Sequence, residues 1–80
     1  MKDQLYAQIE TARKPLTARE VEEYLSAAGY VYDHTSGSHF IWKNVTTGHA
    51  VPVPHHGNQP LRQGLLNAIF RSCGIERPQR

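Results

Sequence analysis

Residues 36–44 read Ser-Gly-Ser-His-Phe-Ile-Trp-Lys-Asn, and the predicted sheet is built around this stretch. The Ser-Gly pair is typical of a tight turn, and the residues after it alternate as they do in a half-buried strand. A ring the size of Phe40 or Trp42 removes roughly 150 to 250 Å² from water when it is buried. We therefore expect these two rings to face the core, which turns His39 and Lys43 to the opposite side of the strand.

Two further strands are predicted around this one, which should span residues 38–44. Residues 30–35 are aromatic and β-branched, and residues 49–53 follow a Thr-Thr-Gly turn signal. Pro52 has no amide hydrogen to donate, so the third strand should lie at an edge of the sheet. The strands should form an antiparallel meander with helices on one face and solvent on the other.

Residues 16–21 carry the sequence signals of a helix start, just before the predicted strands. Thr17 and Glu20 can form a capping box, in which each side chain accepts a hydrogen bond from the other residue's amide. Leu16 and Val21 occupy the two positions of a hydrophobic staple. Gly29 supplies the left-handed residue that commonly closes such a helix.

Two more helices are predicted near the ends of the chain. Residues 62–73 carry a helical apolar pattern, and Gly74 followed by Ile75 favours a Schellman cap. Residues 3–13 form a short amphipathic pattern that should end before Pro15. The predicted class is α+β, with the element order α-α-β-β-β-α.

Length and composition indicate one small domain. The chain has 80 residues, of which 39% are hydrophobic and 20% charged. We expect a single domain over residues 1–80, with residues 1–15 as a helical extension and residues 17–76 as the core. A lone Cys73 cannot form an internal disulfide, which favours the reducing cytoplasm. No apolar run reaches the roughly 18 residues of a membrane span, so we expect no membrane contact.

The net charge and the histidines are compatible with more than one kind of binding site. A formal charge of +2 permits contact with a polyanion without requiring it. Five histidines suggest a metal, but no two of them have helical i, i+4 spacing with an acidic partner. His55 and His56 are adjacent and should diverge. We therefore predict no metal site and no cofactor.

Four motifs follow one another in one order along the chain. They are Ala28-Gly29-Tyr30, Gly37-Ser38-His39, the stretch Val-Pro-Val-Pro-His-His-Gly-Asn at residues 51–58, and the tail Gly-Leu-Leu-Asn-Ala-Ile-Phe-Arg-Ser-Cys-Gly-Ile at residues 64–75. With these motifs, about residues 17–76 resemble the HicA toxins of bacterial toxin–antitoxin pairs, also called YcfA-like proteins. The chain departs from the family at Tyr-Asp-His-Thr, residues 32–35, where members often carry Lys or Arg.

The resemblance implies a fold and a function. The fold would be like that of the double-stranded RNA-binding domain, and the activity that of a ribosome-independent mRNA endoribonuclease. The histidine of the family's Gly-Ser-His motif is its catalytic residue, and by motif position this is His39. The partner would be a HicB antitoxin, which would neutralise the toxin by covering the face that carries His39.

A single imidazole suits this chemistry because RNA carries its own nucleophile, the 2′-hydroxyl. The protein then has to move protons and stabilise the charged phosphate. We expect His39 to act as general acid or base, Gly37 to permit the bend that aims it, and Ser38 to contact phosphate through its amide or hydroxyl group.

Other positively charged groups are candidates for RNA binding. Lys43 ranks first because it should share a face with His39, and Arg62, His55 and His56 follow. Each of these could equally be a solubilising surface group. The alternative function for the whole chain is a noncatalytic module that binds structured RNA or a protein through the open side of the sheet.

Overall fold

The computed structural model describes residues 15–76, which fold as a helix, three strands and a second helix. The elements are α1 (Ala18–Ala27), β1 (Tyr30–Ser36), β2 (His39–Asn44), β3 (Ala50–Pro54) and α2 (Gln63–Cys73). The α+β class and the three-stranded antiparallel sheet are confirmed. The helix predicted over residues 3–13 lies outside the described residues, and the domain division and the likeness to a double-stranded RNA-binding domain stay predictions. Neither α1 nor α2, within residues 15–76, is long and apolar enough to cross a membrane.

The capping signals at the start of α1 are confirmed. The Thr17 amide donates to Glu20 Oε1 at 2.9 Å, and the Glu20 amide donates to Thr17 Oγ1 at 3.3 Å. Leu16 and Val21, the two residues of the predicted staple, are fully buried. Gly29 ends the helix with a φ of 94°, a left-handed conformation that glycine adopts without steric cost. The first helix therefore begins and ends where its sequence indicates.

Strand β2 lies in the centre of the sheet and sets which residues face the helices. Phe40 pairs with Val53 and Trp42 pairs with Val51. Both valines are buried in the same core as α1 and α2, and directly paired residues share one face of a sheet. Phe40 and Trp42 thus face the helices as predicted, although both rings are only half buried. Pro52 lies in β3, which is an edge strand as predicted.

Strand β1 contains a β-bulge. Tyr32 pairs with Trp42, but the next paired residue of β1 is His34, opposite Ile41. Asp33 is the extra residue between the two pairs. A bulge shifts the alternation of side chains by one position, so the residues after Asp33 face the opposite way from those that simple counting would give. Nothing in the alternation of the sequence predicts this bulge.

Helix α2 closes the core. Its side chains Leu66, Ile69 and Phe70 are buried, and the core cluster also takes in residues of α1 and β3. The Gly74 amide donates to the Arg71 carbonyl at 3.2 Å, and the Ile75 amide donates to the Phe70 carbonyl at 2.9 Å. These two bonds are the hydrogen-bond pattern of a Schellman cap. The predicted end of the last helix is confirmed, and its start lies at residue 63 instead of 62.

Candidate active site on the open face of the sheet

His39 is the first residue of β2 and lies directly after the turn between β1 and β2. It pairs with Ser36 of β1 and with Pro54 of β3, and its side chain is exposed. Because Phe40 and Trp42 face the helices, His39 faces the other way, with Ile41 and Lys43. We call this side of the sheet the open face, since α1 and α2 pack on the opposite side. The imidazole of His39 is therefore accessible to a large ligand.

The turn before His39 has a fixed backbone. Gly37 has a φ of 60°, in the left-handed region that side-chain-bearing residues avoid. No neighbouring atom lies within 4 Å of the position that a Cβ would take, so the glycine is needed for its backbone angle and not for space. The Ser38 carbonyl accepts a hydrogen bond from the His55 amide at 2.9 Å. The end of β3 thus holds the turn in place.

Lys43 lies on the open face, as predicted, at the far end of β2 from His39. Lys43 is four positions after His39, which corresponds to roughly 13 Å along the strand. Lys43 lines a shallow depression together with Val31 and Asp33. An extended ligand could therefore contact both His39 and Lys43, at different points along its length.

His55 lies on the helix side of the sheet and not beside His39. Its ring stacks on Phe40 with the ring centroids 3.9 Å apart and the planes 23° apart. Its Nε2 donates to Glu22 Oε2 at 3.0 Å, and the same oxygen accepts a hydrogen bond from Trp42 Nε1 at 2.7 Å. The Glu22 side chain is only 12% exposed. Glu22 of α1 thereby joins the helix to β2 and to the residue that follows β3.

The other two predicted RNA-binding residues form a separate surface. His56 and Arg62 line a groove between the loop after β3 and the start of α2. Of the predicted residues, the fold thus places Gly37 and Ser38 in the turn before His39, and it places Lys43 on the open face. As RNA contacts, all of these residues stay predictions. Within residues 15–76, no three His, Cys, Asp or Glu side chains come together in a way that could hold a metal ion.

A second imidazole, that of His34, also lies on the open face, although the sequence did not predict it there. His34 pairs with Ile41, so it shares the face of Ile41 and His39. Its Nδ1 lies 2.6 Å from Asp33 Oδ2, and the two side chains are 58% and 45% exposed. Alternation counted from Tyr32 would have turned His34 toward the helices. Only the bulge brings it to the open face, which is why no sequence pattern could have shown it.

Tyr30 illustrates the contrast between the buried end of β1 and the open face. Burial, together with a hydrogen bond with Cys73, raises the pKa of the Tyr30 phenol to about 12. Cys73 packs half buried against the core. The end of β1 near α2 therefore carries a buried, structural phenol, whereas the exposed imidazoles of His34 and His39 lie near the other end of the strand.

Comparison with known proteins identifies one family. The model of the family described as HicA toxin of bacterial toxin-antitoxin matches residues 18–75. This range includes the whole of both helices and all three strands. No curated protein and no solved structure shows significant similarity to the chain.

Proposed function

We propose that this chain, which belongs to the family of HicA toxins of bacterial toxin–antitoxin pairs, cleaves mRNA and uses His39 as a catalytic residue. Membership of the family makes the chain the toxin of such a pair and gives it an antitoxin partner. The cleavage of RNA and the catalytic role of His39 go beyond family membership and are the two parts that we propose.

The observation that carries the proposal is the position of His39. The imidazole is exposed at the end of a central strand, on the face away from both helices. The preceding turn is fixed by the left-handed Gly37 and by the hydrogen bond from His55 to Ser38. A proton-transfer group works best when its position is defined and it can reach its substrate; the turn defines the backbone position of His39, and its side chain is exposed.

The reaction that suits this site is attack by the 2′-hydroxyl of RNA on the adjacent phosphorus. A bond forms between the 2′-oxygen and phosphorus, and the bond from phosphorus to the 5′-oxygen of the next nucleotide breaks. One proton leaves the 2′-hydroxyl and one proton is given to the 5′-oxygen. His39 performs one of these transfers. The products are a 2′,3′-cyclic phosphate and a 5′-hydroxyl end, and DNA is spared because it lacks the nucleophile.

The test is cleavage of labelled single-stranded RNA by purified protein in the presence of a chelator. We expect His39→Ala to lower the rate by about 10² to 10⁴-fold, the usual contribution of a general acid or base. His49→Ala is the matched control, because His49 is an exposed imidazole in the loop before β3 that contacts Ser72. A wild-type rate for His39→Ala would refute the assignment. Binding of RNA without any product would instead support the noncatalytic module.

We further propose that the antitoxin is of the HicB type and covers the open face. The exposed residues of β1 and β2 on this face offer a surface whose occupation would block access to His39. Hydrogen exchange of the complex should show protection of the turn at residues 36–39. Protection confined to α1 and α2 would contradict this part of the proposal.

A further inference from the structure

We propose that His34 is a second catalytic residue of the RNA cleavage, acting as general acid opposite His39, and that Asp33 is its positioning residue. The inference rests on the proposed function above, and it assigns the second of the two proton transfers that the reaction requires. Three features of the structure support it: the bulge in β1, the contact between Asp33 and His34, and the register of β1 on β2.

The bulge is what makes the contact between Asp33 and His34 possible. In a regular strand, neighbouring side chains point to opposite faces and cannot meet. At a bulge, two successive residues stand opposite one residue of the partner strand, here Ile41. The distance of 2.6 Å between Asp33 Oδ2 and His34 Nδ1 follows from this geometry. The carboxylate accepts, so Nδ1 of His34 carries the hydrogen and Nε2 is left to meet a substrate.

The register places His34 beside His39. His34 stands opposite Ile41, and Ser36 stands opposite His39, so the two histidines are diagonal neighbours on the open face. Diagonal neighbours in an antiparallel pair are about 7 to 8 Å apart, and the separation of their Cβ atoms is somewhat less. Two imidazoles at this spacing can approach one phosphodiester group from two sides, which is the arrangement that an acid and a base need in a single displacement.

The proton transfers then balance within the pair. Neutral His39 takes the proton of the 2′-hydroxyl as the 2′-oxygen bonds to phosphorus. Protonated His34 gives its proton to the 5′-oxygen as the bond from that oxygen to phosphorus breaks. Exchange with water afterwards restores both histidines. His34 is assigned as the acid because the Asp33 carboxylate can form an ion pair with its protonated ring, whereas no acidic side chain within residues 15–76 contacts His39.

A purely structural role explains the pair less well. Both side chains are about half exposed, and an ion pair in such a position contributes little to stability. Asp33 also carries a negative charge on a face that is proposed to meet phosphate, which would weaken binding unless the carboxylate served another purpose. Orienting the imidazole of His34 is such a purpose.

The test compares a normal RNA with one whose scissile 5′-oxygen is replaced by sulfur. A thiolate leaves without being protonated, so this substrate makes a general acid unnecessary but still needs a base. On normal RNA, we expect His34→Ala to lower kcat by about 10² to 10⁴-fold and Asp33→Asn by about 10 to 100-fold, as for residues that orient a catalytic group. On the sulfur substrate, His34→Ala should recover to nearly the wild-type rate, and His39→Ala should stay slow.

The possible outcomes distinguish a wrong role for His34 from a wrong proposed function. If the wild type cleaves RNA in a way that depends on His39, and His34→Ala is equally active, then the role of His34 is wrong and the proposed function stands. If His34→Ala is slow on both substrates, then His34 is not the acid. If the wild type does not cleave RNA at all, the proposed function itself fails, and the role of His34 fails with it. Circular dichroism of each variant checks that it is folded.

Discussion

Replacing Glu22 with alanine tests how far one carboxylate holds the sheet to the first helix. Glu22 Oε2 accepts hydrogen bonds from Trp42 at 2.7 Å and from His55 at 3.0 Å. His55 in turn contacts both chain neighbours of His39, because its amide donates to Ser38 and its ring stacks on Phe40. Loss of the carboxylate should therefore lower stability and also loosen the turn that carries His39.

The size of the effect follows from these two bonds. A hydrogen bond to a charged group contributes about 1.5 to 3 kcal/mol when its donor is buried. The side chain of His55 is 26% exposed and Trp42 is half buried, so water can replace part of each lost bond. Alanine also has a better helix propensity than glutamate, by a few tenths of a kcal/mol. We expect a net loss of about 2 kcal/mol in the free energy of unfolding, which lowers Tm by about 8 to 16 °C in a domain of this size.

The assay is urea unfolding followed by circular dichroism and by the fluorescence of Trp42, the single tryptophan of the chain. Glu23→Ala is the matched control, because Glu23 is the next residue of α1 and its side chain is exposed. It should change the free energy of unfolding by less than about 0.5 kcal/mol. Glu22→Gln should lie between the two, since its amide oxygen can still accept both hydrogen bonds. Equal midpoints for Glu22→Ala and Glu23→Ala would show that the two hydrogen bonds to Glu22 do not stabilise the fold.

Two further predictions concern the turn and the buried end of β1. Gly37→Ala should destabilise the protein by about 1 to 2 kcal/mol, because alanine is strained at a φ of 60°. Gly64→Ala, at a helical position without a positive φ, should stabilise the protein by up to about 1 kcal/mol. Denaturant titrations in which Gly37→Ala and Gly64→Ala changed the free energy of unfolding in the same direction would contradict this prediction. The raised pKa of Tyr30, about 12 against an ordinary 10.0, means that the unfolded chain loses this proton first. The contribution of the neutral phenol to folding stability is complete below pH 10 and is lost as the pH rises from 10 to 12. The free energy of unfolding of the wild type should therefore fall relative to that of Tyr30→Phe across this range. Parallel plots of the two free energies against pH would show that the phenol does not contribute.

The parts of the fold that local rules govern could be predicted from the sequence. The capping box at Thr17 and the Schellman cap at Gly74 depend on residues within one turn of helix, so a short motif specifies them. The side of the sheet on which Phe40 and Trp42 lie could also be predicted, because the free energy gained by burying two large rings outweighs the cost of exposing one histidine. For the same reason, the exposure of His39 was predicted correctly.

The parts that depend on distant residues could not be predicted. Glu22 lies 20 residues from Trp42 and 33 from His55, and no pattern within a single element indicates that their side chains meet. The bulge at Asp33 depends on how β1 registers against β2, so the sequence of β1 alone does not reveal it. As a result, the sequence did not predict that His55 packs on the helix side of the sheet or that His34 lies on the open face.

The bulge has a consequence for how molecules of this protein meet one another. Within residues 15–76, β1 is hydrogen-bonded to a neighbouring strand on one side only, and its other edge carries backbone groups that a strand of a second molecule could pair with. Irregularity in an edge strand is one way in which proteins prevent such pairing, because a regular strand cannot stay in register across it. Asp33 leaves three residues on either side of it, Tyr30–Tyr32 and His34–Ser36, which is too short for a stable intermolecular ladder. The feature that directs His34 outward should thus also protect this edge against aggregation.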